Sequence, residues 1–72
     1  MKVIELKNGR SIDSEEIEKI IVNGQTKDFD KTKHFDVIKI LHESLKNMSS
    51  IKVVLEDETI IKTGEVARFI LF

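Results

Sequence analysis

The chain has 72 residues, 12 basic against 13 acidic for a net charge of −1, with 40% apolar residues and no cysteine. That length allows one domain over 1–72 with a thin core, and the absence of cysteine removes the disulfides and thiolate metal sites that often reinforce small domains, leaving oligomerisation as the expected supplement. The balanced charge argues against a nucleic-acid-binding domain, no apolar run approaches the roughly 20 residues of a membrane span, and the opening segment 1–6 is not a signal peptide, so a cytoplasmic protein is expected.

Residues 3–7 (Val-Ile-Glu-Leu-Lys) read as a strand. Asn8-Gly9 then Arg10-Ser11-Ile12 predict a hairpin, because a type I′ turn needs positive φ at both central residues. Asp13-Ser14-Glu15-Glu16 resembles a capping box. The β-branched run Ile17-Glu18-Lys19-Ile20-Ile21-Val22 favours a short turn followed by a third strand, with a short helix over 14–20 as the alternative. Residues 23–31 read as a polar loop pinned by Phe29. The helix is predicted over 32–48, capped by Asp30 or Thr32. Val37, Ile38, Leu41, Leu45 and Met48 share one arc, bordered by Phe35, and Asp36, Lys39, Glu43, Lys46 and Asn47 lie opposite. Ser49-Ser50 ends the helix and leads to a strand over 51–55.

The two ends of the chain align without a gap at an offset of 49 residues, 4–22 on 53–71. Every apolar residue of the first segment meets an apolar residue in the second, and Glu16 meets Glu65, Lys19 meets Arg68 and Ser14 meets Thr63. The expected fold is therefore α+β: a small antiparallel sheet of about six strands in the order β-β-β-α-β-β-β. Two pseudo-repeated three-strand units, 3–22 and 51–72, would stand around one amphipathic helix.

The pattern Ile4-x-Leu6-x-Asn8-Gly9-x-x-Ile12-x-x-x-Glu16-Ile17-x-x-Ile20 resembles the opening of small bacterial FlbD-like flagellar proteins. The resemblance covers some twenty residues and implies a hairpin but no functional residues. The Lys/Ile/Glu-rich composition suits a bacterium or a phage.

Parts for catalysis are missing. His34 and His42 lie two helical turns apart, about 12 Å along the axis, too far to share one metal. Both read as boundary residues satisfying loop groups. Asp28, Asp30, Asp13, Glu15, Glu16 and Glu18 read as solvated loop and cap carboxylates, and the paired Glu16 and Glu65 as turn bonds. No Gly-x-Ser-x-Gly elbow or glycine-rich phosphate loop occurs. The expectation is no enzyme, no cofactor and no metal.

The final run Phe69-Ile70-Leu71-Phe72 would make both faces of the last strand apolar, and Ile40 sits at the polar edge of the helix wheel. These five residues are the candidate surface for a homodimer or an unidentified protein partner, with no membrane contact. The alternative is a nucleic-acid-associated protein using Lys27, Lys31, Lys33, Lys39 and Lys46. Residues 23–52 hold six lysines against four acids, although the alternation of signs suits a solvated face and no Trp or Tyr offers a stacking platform.

Overall fold

The computed structural model describes residues 1–30 and 34–71. β1 (Lys2–Leu6) turns back into β2 (Ser11–Asp13) through a four-residue connection. The Leu6 N–H donates to the Arg10 carbonyl at 2.8 Å and the Gly9 N–H to the Leu6 carbonyl at 3.0 Å. Within this connection only Gly9 has positive φ, at 92°. The turn is thus type I closed by one left-handed residue, not the type I′ pair expected at Asn8-Gly9. Asn8 works through its side chain instead, accepting the Arg10 N–H at 2.9 Å.

The type I′ pair occurs later. Asn23 and Gly24 have φ of 51° and 81° and join β3 (Ile17–Val22) to β4 (Gln25–Lys27). The polar-loop expectation for 23–31 is corrected here: residues 25–27 form a strand, because that tight turn brings Gln25 opposite Val22 and lets the backbone pair. Between β2 and β3 the chain makes a 3₁₀ turn, Ser14–Glu16, rather than a helix over 14–20. The Asp13 carboxylate accepts the Glu15 N–H at 3.1 Å, and Glu16 Oε2 accepts the Asp13 N–H at 2.7 Å.

α1 is described over His34–Lys46 and stops two residues short of the end expected at 48; Thr32 and Lys33, at its expected start, lie outside the described residues. Its C-terminus closes with two bonds. The Ser49 N–H reaches the Ser44 carbonyl at 2.9 Å and the Met48 N–H reaches the Leu45 carbonyl at 3.1 Å, with Met48 at φ 54°. This is a Schellman end with methionine where glycine is preferred. Met48 has therefore left the helix, and its place on the core-facing arc does not hold.

The second half runs β5 (Ile51–Leu55), β6 (Ile60–Lys62), a 3₁₀ turn Thr63–Glu65 and β7 (Val66–Phe69). Glu58 stands at φ 71° in the β5–β6 connection, and the Thr59 N–H donates to Asp57 Oδ1 at 3.0 Å. Glu65 Oε1 accepts the Lys62 N–H at 3.4 Å, and the Thr63 hydroxyl donates to the Ile51 carbonyl at 3.1 Å.

The α+β class holds, and the strands, whose partition into one sheet or two the sequence leaves open, form two. Among the described residues seven strands form two antiparallel sheets, ordered β2-β1-β7 and β4-β3-β5-β6. Local patterning specifies strands without specifying partners, and here each sheet combines strands from both ends of the chain. β1 pairs β7 with Ile4 opposite Phe69, Glu5 opposite Arg68 and Leu6 opposite Val66. β3 pairs β5 with Ile20 opposite Val53, Lys19 opposite Val54 and Ile17 opposite Leu55.

Both sheets and α1 contribute to one core. Ile4, Ile12, Ile17, Ile20, Leu41 and Ile61 are almost wholly enclosed, with Val37 and Ile38 beside them. Each such side chain contributes about 1.5–3 kcal/mol by leaving water. Buried Ser44 satisfies its hydroxyl by donating to the Ile40 carbonyl at 2.7 Å.

Candidate interaction surfaces

Large apolar side chains escape the core mainly along α1. Phe35 is 77% exposed, Leu45 36% and Met48, just past the helix, 93%. Phe35, Ile38, His42 and Leu45 follow three-four-three spacing and so share one helix edge. Beside that edge runs the C-terminal segment, and Phe35, Ile38, Lys39, His42, Glu43 and Leu71 line a shallow groove between them.

The sequence-predicted interface is divided by the helix. Phe69 and Leu71 are half-buried and pack against the core, while the Ile70 N–H donates to the Val3 carbonyl at 2.7 Å. Phe72 lies outside the described residues. Ile40 occupies the other edge of α1, half-buried, with Val22, Gln25 and Lys27 on one side and Phe29 on the other. Lys39 and Glu43, on the exposed face of α1, stand between Ile40 and Leu71. Sequence reasoning missed the exposure of Phe35, Leu45 and Met48, having placed Leu45 and Met48 on the core-facing arc and Phe35 at its border.

The candidate lysines are scattered as well. Lys27 ends β4 and shares a groove with Ile40. Lys39 and Lys46 lie on α1, interleaved with Asp36 and Glu43. Lys31 and Lys33 fall outside the described residues.

The histidines part company. His34 is half-buried with Nδ1 2.9 Å from the Ser14 hydroxyl, and its ring meets Phe35 edge-on at 5.9 Å. It ties α1 to the first 3₁₀ turn through a side chain, not through loop backbone. His42 is exposed in the groove.

Several carboxylates are absorbed by turns. A hydrogen bond from the Met1 ammonium at 2.9 Å, with the Glu15 N–H, holds the Asp13 carboxyl below its ordinary pKa. Hydrogen bonds from Thr59 do the same for Asp57. Arg10 reaches Glu16 at 3.5 Å and Asp57 at 3.8 Å, linking the two hairpins. Among the described residues no group of three or more His, Asp or Glu could hold a metal ion, and no helix is long and apolar enough to cross a membrane. Comparison of the chain with protein-family models, curated proteins and solved structures finds no match.

Proposed function

We propose that this chain is a small non-enzymatic interaction protein of the cytoplasm that works as a homodimer through the exposed edge of α1. The observation that carries the reading is Phe35 standing in water beside Leu71, with Leu45 and Met48 exposed towards the other end of α1. Met48 adds weight. It holds a left-handed conformation that glycine adopts without strain, and at 93% exposure it gains nothing from its own fold. A contact outside the chain accounts for a methionine there.

A second copy suits this surface better than an unrelated partner. Along the exposed face the charges run Asp36, Lys39, Glu43, Lys46, minus-plus-minus-plus. An antiparallel copy reads plus-minus-plus-minus, so Lys39 faces Glu43 and Asp36 faces Lys46 across a two-fold axis. The same reversal brings Phe35 towards the Met48 end of the other helix.

The fold behind this surface is read as two interlocked copies of one unit. Each element of 51–65 begins and ends 49 residues after its counterpart in 2–16. The β1–β7 and β3–β5 registers carry the same offset, including the irregularity beside Leu6 and Ile17. So do two bridging bonds, Lys7 N–H to the Glu65 carbonyl at 3.0 Å and Glu56 N–H to the Glu16 carbonyl at 2.9 Å.

Dilution monitored by amide NMR tests the dimer. Concentration-dependent shifts should map to Phe35, His42, Leu45, Met48 and Leu71. Shifts confined to another face, or none between millimolar and micromolar protein, would refute the assignment.

A further inference from the structure

We propose that the outer face of the four-stranded sheet docks an acidic, aliphatic segment of a partner protein. This surface is separate from the α1 edge and does not depend on the dimer.

Its layout follows from the strand register. One row crosses the sheet as Ile21, Lys52 and Lys62, and the next as Lys19, Val54 and Ile60. All three lysines are exposed, Val54 and Ile21 are half-buried, and Ile60 is 54% exposed. The inward residues of the same strands, among them Ile20, Val53 and Ile61, are in the core, so these six point away from it.

Two features mark the face as built for an anion. Lys52 and Lys62 sit directly opposite each other, a like-charge cross-strand pair that costs stability. No carboxylate among the described residues forms an ion pair with Lys19, Lys52 or Lys62. Glu18 stands in the bulge beside Lys19, outside the paired rows.

The three-stranded sheet supplies the contrast. At the positions 49 residues away from Lys19, Val54 and Ile60, it carries Arg68, Glu5 and Ser11, also in one row. There the cation is neutralised: Arg68 Nε donates to Glu5 Oε2 at 3.1 Å, and Nη2 lies 3.1 Å from the same oxygen. In the four-stranded sheet the carboxylate is replaced by valine and the serine by isoleucine. The charge is left open and apolar surface is added beside it.

That combination selects the partner's chemistry. A partner carrying both acids and aliphatic side chains satisfies the lysines and covers Val54 and Ile60 together. A nucleic-acid backbone would use the ammonium groups alone, and this face offers no aromatic ring for a base and no arginine for a phosphate.

The test uses a capped ten-residue peptide of alternating Glu and Val, a Lys-Val control, and a 20-nucleotide DNA in single-stranded and duplex form. Amide shifts on the full chain should localise to Lys19, Lys52, Val54, Ile60 and Lys62 for the Glu-Val peptide. Binding should weaken at least fivefold in the double variant Lys52→Gln/Lys62→Gln, and in the wild type at 0.5 M salt. Relief of the lysine pair should leave that variant's melting temperature unchanged or up to about 4 °C higher, so lost binding is not lost folding. No shifts at millimolar peptide would overturn the proposal. So would binding indifferent to the double substitution, a Lys-Val control that binds equally, or DNA that binds this face more tightly than the peptide.

Discussion

Leu41 and Leu45 are one turn apart on α1 but differ sharply in environment. Leu41 is 0% exposed and Leu45 36%. Truncating Leu41 to alanine removes about three carbon groups from the core, each contributing about 0.8 kcal/mol. The residual cavity adds to that loss, so Leu41→Ala should cost about 3–4 kcal/mol. A chain of this size has about 4–10 kcal/mol in total. The melting temperature should then fall by about 12 °C or more, and much of the protein should be unfolded at physiological temperature. Leu45→Ala, measured at low micromolar concentration, should cost about 1 kcal/mol or less because its side chain already meets water. At high concentration the cost should grow, since the wild type is then stabilised by self-association. Thermal and urea unfolding followed by circular dichroism at two concentrations reads both effects. If Leu45→Ala proves as damaging as Leu41→Ala at low concentration, the assignment of the helix faces is wrong.

Met48→Gly should raise monomer stability by about 1 kcal/mol through relief of the left-handed strain, while weakening self-association; denaturation and light scattering on the same samples separate the two. Ile12→Ala and Ile61→Ala, 49 residues apart and both essentially unexposed, should destabilise within about 1 kcal/mol of each other in urea titrations, and a wide disparity would count against the two-unit reading. Asp13 has a folded pKa below its unfolded value, so its contribution is present above about pH 4 and fades as pH falls through the lower folded value. Asp13→Asn should therefore lose stability at pH 7 and approach the wild type near pH 2, a convergence that stability measurements across pH would check.

Much of the strand layout was legible because its causes are local. β-branched runs, the Asp13 cap and the matched apolar positions place β1, β2, β3, β5, β6 and β7 without any knowledge of partners. β4 was missed because Gln25-Thr26-Lys27 is polar and exposed, although Asn23-Gly24 carried the turn signal that pairs it with β3. The division into two sheets is a choice of distant partners, Ile4 with Phe69 and Ile20 with Val53, which side-chain period cannot express. The surface was harder still. A helical wheel extended to Met48 hides that the helix ends at Lys46, and it treats Ile40 as open although it is half-buried and shares grooves with β4 and Phe29. The lysine face appears only when register sets Lys19, Lys52 and Lys62, far apart in the chain, on one side of one sheet.

Sedimentation equilibrium from micromolar to millimolar concentration tests the central claim most directly. The expected result is a mass rising from the 8.3 kDa of one chain towards twice that value. Phe35→Ser and Met48→Gly should push the rise to higher concentration. A mass of one chain throughout the range, or a dimer unaffected by either substitution, would contradict a homodimer built on the edge of α1.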